Sequence, residues 1–259
     1  MQKAICLLSI IPLRETPSDK AQMVNQVLFG ETFDIIETQD SWLKIELHHD
    51  LYQGWIDQKQ AFILDGPQWD ELKNASSYCA LDMVQIFENI TYGTQFPVLI
   101  GSVVYNAQNN NFSIAGQQYT HTGEVQPFEK NRNKNKMLEF AYYFLNAPYL
   151  WGGRSPFGID CSGFTQLVYK LCGFSIPRDA WQQANVGSDI NFLEEARAGD
   201  LAFFDNDEGR IIHTGILLPN NQIIHASGMV KIDQVDHQGI YNIEQKKYTH
   251  KLRMIRHID

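Results

Sequence analysis

The stretch from Pro148 to Phe164 constrains this chain more than any other. Gly152, Gly153, Pro156 and Gly158 interrupt any regular element there, so residues 152–158 read as a tight loop. Directly after it, Phe164, Leu167, Val168 and Leu171 recur at helical spacing, with Asp160 placed as an N-cap and Gly173 after the last turn. The loop therefore delivers the chain to a helix that opens at Cys161. Unpaired N–H groups in a first helical turn carry partial positive charge, which favours thiolate over thiol and can stabilise an oxyanion. The alternative is a small buried cysteine behind an ordinary cap. Cys6, Cys79 and Cys172 occupy no such position and read as structural.

Around this stretch the periodicity divides the chain. Upstream, residues 1–62 carry short strand patterns, among them Thr32–Ile36, the alternating Trp42–Leu47 and Gly54–Ile56, and suggest a small all-β barrel. Residues 63–127 read as a second small β module, with strands over 96–100 and 103–105 and turns at Gly116 and Gly123. Lys130–Lys136 is polar and basic and reads as a linker or an exposed helix start. From 132 to 259 the pattern changes. Met137, Phe140, Ala141, Phe144 and Leu145 predict a helix ended by Pro148, then comes the helix at Cys161, then strands over 201–204, 211–218 and 222–226. Helices followed by strands are the α+β order.

A nucleophilic cysteine needs a base, and the base needs a group to hold its ring. Arg210–Leu218 and Gln222–Ala226 read as a hairpin about the turn Pro219-Asn220-Asn221. With a three-residue turn, Leu218 faces Gln222 and Gly215 faces His225. His213 and His225 then become same-face diagonal neighbours, roughly 7–8 Å apart at their α-carbons. A two-residue turn would place them on opposite faces. Paired histidines also serve metals, but no clear third and fourth ligand accompanies them. The tautomer of either ring is not assigned by sequence.

The formal charge of -9 argues against nucleic acid as a partner. It is concentrated in front: residues 1–130 hold 16 Asp/Glu against 7 Lys/Arg, and residues 131–259 hold 14 of each. No stretch approaches the roughly 20 apolar residues that span a bilayer. The run Ala4–Ile11 lacks the cleavage pattern of a signal segment and reads as a first β-strand. Four cysteines without a CxxC pair indicate neither a disulfide framework nor a zinc knuckle. A cytoplasmic protein is expected, with a periplasmic or secreted one as the alternative.

Asp160-Cys161-Ser162-Gly163-Phe164, Tyr149-x-Trp151-Gly152-Gly153, Gly199-Asp200-Leu201, His213 and His225 together resemble the NlpC-type papain-like cysteine peptidases, over about residues 132–259. The front of the chain, with Pro12-Leu13-Arg14, Gly30-Glu31, Trp42 and Gly54-Trp55-Ile56, resembles bacterial SH3-like domains. The resemblance implies a papain-like α+β catalytic domain preceded by one or two SH3-like β-barrel modules. It further implies Cys161 as nucleophile, His213 as base, His225 as its orienting group and Tyr149 beside the oxyanion.

SH3-like front domains combined with Arg178-Asp179-Ala180 look like the γ-D-glutamyl-L-diamino acid endopeptidases. That likeness implies a small peptidoglycan-derived peptide with a free N-terminal L-alanine as substrate, and no cofactor or metal. Asp179 would meet the amine and Arg178 the D-glutamate carboxylate, with Asp160, Ser162 and Trp151 lining the pocket. Tyr52 and Glu31 would help select short, unblocked peptides. Asp179 also suits a plain helix cap. An amidase or acyltransferase of the same fold, a secreted wall hydrolase and a non-catalytic wall-binding protein are the other readings.

Overall fold

The computed structural model describes residues 1–128, 132 and 134–259. The chain separates into two compact units, Met1–Arg132 and Asn133–Asp259. Of the expected linker, Lys130, Asn131 and Asn133 lie outside the described residues, and Lys134–Lys136 forms a 3-10 turn.

The first unit begins with β1 (Gln2–Ile5), β2 (Ile10–Arg14), β3 (Met23–Leu28), β4 (Thr32–Gln39), β5 (Trp42–Leu47), β6 (Gln53–Asp57) and β7 (Phe62–Ile63). They form one antiparallel sheet in the order β3-β2-β6-β5-β4-β1-β7. Alternation in β5 buries Leu43, Ile45 and Leu47 and leaves Trp42, Lys44 and Glu46 half-buried, the pattern of a strand with one face on a core. The run Ala4–Ile11 is two strands rather than one. At Cys6 the backbone turns to the Gly30–Glu31 corner, exchanging Cys6 N–H to Glu31 O and Gly30 N–H to Cys6 O.

Helix α1 (Gly66–Asn74) follows, and the sequence pattern misses it because it buries only Leu72. Its start rests on local chemistry instead: Asp65 and Gln68 form a capping box, with Pro67 in the first turn. Beyond it lie β8 (Ser77–Ala80), β9 (Val84–Asn89), β10 (Thr94–Leu99), β11 (Val103–Tyr105), β12 (Asn111–Ile114), β13 (Gln117–His121) and β14 (Val125–Pro127). These make a four-stranded sheet, β10-β9-β13-β12, and a three-stranded one, β11-β8-β14. Ile5 and Phe29 come from the front of the chain yet share one core with Phe87, Phe112 and Tyr119. Phe29 meets the Phe87 ring edge-on at 5.2 Å, a contact worth about 0.5–1.5 kcal/mol beyond its buried area. The Tyr105 hydroxyl donates to Gly30 O at 2.9 Å.

The second unit contains α2 (Met137–Tyr143), β15 (Arg154–Ser155), β16 (Gly158–Ile159), α3 (Cys161–Leu171), α4 (Ala180–Gln183) and β17 (Ser188–Ile190). Then come β18 (Leu201–Asp205), β19 (Ile211–Leu218), β20 (Gln222–Ser227), β21 (Met229–Val235), β22 (Gly239–Asn242) and β23 (Lys247–His257). Neighbouring pairs run β23-β18-β19-β20-β21-β22, and β22 pairs back to β23, so these six strands close a barrel. Ala202, Phe204, Leu217, Ile223, Val235, Ile240 and Ile255 form its core.

Helix α2 ends at Tyr143, short of the expected Leu145. Phe144 caps it, Leu145 is exposed, and Asn146 takes a left-handed φ of 68° before Pro148 is reached. Helix α3 opens at Cys161 and closes in a Schellman turn, Phe174 N–H to Tyr169 O and Gly173 N–H to Lys170 O. It is buried on every side rather than along one stripe; only Lys170 is partly exposed. Its apolar residues, such as Phe164 and Leu167, each contribute about 1.5–3 kcal/mol by burial. Its polar residues make buried hydrogen bonds: the Thr165 hydroxyl and the Gln183 amide of α4 are 2.7 Å apart, and Gln166 donates to Ile176 O.

Candidate active site

The glycine-rich loop and the start of α3 are held together by Asp160. This N-cap residue is 6% exposed. Its Oδ1 accepts from Gly163 N–H at 2.7 Å and from Arg178 Nη1 at 2.9 Å, while its Oδ2 accepts from Gly152 N–H at 2.8 Å and Arg178 Nη2 at 2.7 Å. Arg178 Nη1 also donates to Ser162 Oγ at 2.9 Å. The loop lies so close that a Cβ on Gly163 would sit 2.3 Å from Gly153 O.

These contacts involve three of the residues expected at the substrate. Arg178, at 1% exposure, donates to Asp160 and Ser162. Asp160 and Ser162 belong to that same buried network. The physical reason is that a buried guanidinium must be paired, and the bidentate carboxylate beside it meets its geometry.

Cys161 is 7% exposed. Burial dominates its titration and, with the Asp160 charge, pushes the thiol up to about 12, although N–H groups of Thr214 and Ser162 and the Arg178 charge pull the other way. Burial thus opposes the thiolate that the helix start favours. Thr214 reaches it because the β19–β20 ladder runs from Leu218↔Gln222 only to Ile216↔Ile224 and then stops. Thr214 lies beyond the last pair, and its N–H serves the sulfur.

That same register has Leu218 opposite Gln222 about a three-residue turn, with Asn220 and Asn221 both left-handed. His213 and His225 therefore share a face, and His213 Nε2 lies 2.8 Å from His225 Nδ1. The imidazoles are 5% and 0% exposed respectively. Burial, then the charges of His225, His250 and Lys231, hold His213 well below the ordinary histidine range. Burial also lowers His225 despite its partner Asp233.

Two further residues stand here that sequence reading missed. Asp233 Oδ2 lies 3.1 Å from His225 Nε2, and His250 stacks on His213 with ring centroids 4.1 Å apart at 25°. The β20–β21 register pairs Ile223 with Asp233 and His225 with Lys231. Reading a second hairpin about Gly228 would have put Asp233 diagonal to His225. No local signal marks His250, which arrives through barrel closure.

Tyr149 is half-buried and anchored by its N–H to Gly228 O at 2.9 Å. Burial, then the nearby Cys161 and Asp160, push its phenol up to about 12, so it stays a hydrogen-bond donor at neutral pH. Trp151 is 59% exposed. Asp179 caps α4, its N–H donating to Gln182 Oε1 at 3.2 Å. Tyr52 and Glu31 belong to the first unit. Tyr52 packs partly buried against that unit's core. Glu31 is not on the barrel surface: it is 2% exposed, and its Oε2 accepts from Leu28 N–H at 2.9 Å. Among the described residues no group of three His, Cys, Asp or Glu is arranged to hold a metal ion.

The pattern of the NlpC/P60 family matches residues 146–253, and that of the bacterial dipeptidyl-peptidase Sh3 domain matches residues 13–60. A gamma-D-glutamyl-L-lysine dipeptidyl-peptidase of Bacillus subtilis (strain 168) is 35% identical over 125 residues, which is 46% of this chain and 42% of that protein. The matched region thus spans less than half the length of that relative. Dipeptidyl-peptidase 6 of Lysinibacillus sphaericus is 25% identical over 257 residues, 91% of this chain and 92% of that one. In fold, the chain is similar to an NlpC/P60 family protein from Bacillus cereus ATCC 10987, with a TM-score of 0.84 at 19% identity over 98% of this chain and 99% of that one. With Cys161 at the head of a buried helix and two linked histidines on the barrel beside it, residues 146–253 form an NlpC/P60 domain, preceded over residues 13–60 by a bacterial dipeptidyl-peptidase Sh3 domain.

Proposed function

We propose that this chain is a cysteine endopeptidase that cuts the bond between γ-D-glutamate and a diamino acid in short peptidoglycan-derived peptides, releasing L-Ala-γ-D-Glu. The observation that carries this reading is the Cys161 thiol served by the N–H of Thr214, on the strand that also carries His213, whose ring is backed by His225. The names of the relatives supply the substrate class.

His213 takes the thiol proton as sulfur attacks the γ-carbonyl carbon, and the carbonyl oxygen becomes an oxyanion. N–H groups of the first turn of α3 and the Tyr149 hydroxyl stabilise that charge. The C–N bond breaks, His213 returns its proton to the leaving amine, and a thioester remains on Cys161. Water, deprotonated by His213, then attacks the thioester and restores the thiol. Burial disfavours the charged form of both groups, so proton transfer accompanies attack. The half-buried Asp179 carboxylate is offered to the free amine of L-alanine.

We place this chemistry in the cytoplasm, on fragments of recycled wall. The four cysteines are buried and outside any disulfide, which suits a reducing compartment, and the charge of -9 disfavours adhesion to anionic polymers. Separating cytosol from medium and probing each for the protein tests the location.

The activity is tested by mass spectrometry of enzyme mixed with L-Ala-γ-D-Glu-diaminopimelate or its N-acetylated twin. Only the free tripeptide is cut, and Cys161→Ala lowers the rate by more than about 10⁴-fold. Equal cutting of both peptides discards the amine recognition and keeps the thiol chemistry. No cutting of either sinks the substrate assignment.

A further inference from the structure

We propose that Asp233 is a positioning residue that fixes where the protons sit on both histidines, leaving Nδ1 of His213 as the base. The contacts form one line. His213 Nε2 meets His225 Nδ1 at 2.8 Å, and His225 Nε2 meets Asp233 Oδ2 at 3.1 Å. Asp233 is itself held, by Lys231 Nζ at 3.1 Å on Oδ2 and by Asn242 Nδ2 at 3.2 Å on Oδ1.

A carboxylate only accepts, whereas a neutral imidazole has one N–H and one bare nitrogen. Asp233 therefore requires the proton of His225 on Nε2. His225 Nδ1 is then bare and must accept, so the proton of His213 is also on Nε2. What remains is an unprotonated Nδ1 on His213. Without Asp233, the opposite arrangement satisfies the His213–His225 bond equally well, but it protonates His213 Nδ1 and leaves no base. One carboxylate thus removes a twofold ambiguity across two rings.

The surrounding charges agree with this assignment. Burial draws the Asp233 carboxyl up, but hydrogen bonds from His225 and Lys231 outweigh it and bring the group to about 2. Lys231 is the standing cation, because His225 is itself kept neutral by burial. His250 stacks on the His213 ring and has its own partner, Thr249 Oγ1 at 2.9 Å from its Nδ1. It therefore does not compete for the nitrogens of His213. When His213 takes the thiol proton, His225 and Asp233 lie in line to share the positive charge.

The catalytic consequence rests on the proposed peptidase activity; the proton positions do not. Long-range proton–nitrogen NMR of ¹⁵N-histidine protein at pH 7.5 reads them directly. Nε2–H on both His213 and His225 is expected in the wild type, and Nδ1–H on His225 overturns the proposal without any variant being made. In Asp233→Ala, His225 is expected to exchange between tautomers. The variant's kcat falls on the order of 10²-fold with KM within about twofold, and iodoacetamide alkylation of Cys161 changes its pH profile. Asp233→Asn, whose amide oxygen Lys231 selects, keeps the wild-type tautomers and recovers most of the rate. Unchanged tautomers and kcat in Asp233→Ala count against the proposal. If that variant does not fold, the wild type and Asp233→Asn decide. If the wild type shows the expected spectrum yet cuts no peptide, the proton assignment stands and the substrate assignment falls.

Discussion

Arg178 and Asp160 show what a single pair of residues can determine. The aspartate accepts from both nitrogens of the guanidinium and from two backbone N–H groups, which fixes the glycine-rich loop against the first turn of α3. Removing one partner of a buried pair leaves an uncompensated charge, whatever the net worth of the intact pair. Arg178→Leu is expected to lose about 3–5 kcal/mol of stability, read by urea denaturation. Arg178→Lys is expected to restore little of it, since an ammonium cannot match the bidentate geometry. A lysine variant as stable as the wild type would show that charge alone, not the fork, holds Asp160.

At the scale of an element, the β19–β20 hairpin is the part that makes chemistry possible. Its turn sets the register, its ladder stops in time to leave Thr214 N–H for the sulfur, and its two histidines meet across one face. Gly215 is what lets His225 lie close: a Cβ there would come within 2.8 Å of both His225 Cβ and Ile223 Cδ1. Gly215→Ala should displace His225, costing about 1–3 kcal/mol by overpacking and about tenfold or more in kcat by disturbing the base. Thermal melts and steady-state kinetics test the two effects separately, and normal kcat with a lowered Tm would detach Gly215 from the chemistry.

For the whole molecule, pH connects the buried site to global stability. Burial depresses His213 and His225, and it brings His250 to about 4. In the unfolded chain these histidines take up protons below about pH 6.5, whereas the folded protein resists until lower pH. The unfolded state then binds more protons, so the stability present above about pH 6.5 is lost as pH falls toward 4. Asp233, lowered to about 2, contributes stability that is present above about pH 3.9 and is lost only toward pH 2, so it does not offset the loss. Calorimetry from pH 7.5 to 4.5 should show Tm falling steadily, with His250→Phe flattening the fall. A Tm that holds level across this window would mean that the barrel opens to solvent before the histidines titrate. The acid limb of kcat/KM should likewise lie below the ordinary histidine range, because His213 is depressed.

What the sequence by itself determined was local. Asp160, the glycines and the spacing of Phe164, Leu167, Val168 and Leu171 are short-range signals, and they placed helix α3 with Cys161 at its head. The Pro219-Asn220-Asn221 turn and the apolar runs beside it placed the hairpin, but only the folded register, with Leu218 opposite Gln222, chose the three-residue turn that puts His213 and His225 on one face. Tertiary structure decided what depends on distant partners. It buried α3 on all sides, turned Arg178 inward to Asp160, and brought Asp233 and His250 to the histidines through strands β21 and β23. It also set desolvation by the packed surroundings of Cys161 against the pull of nearby N–H groups. Periodicity and capping are written into neighbouring residues, but burial, and hence charge state, belongs to the assembled fold.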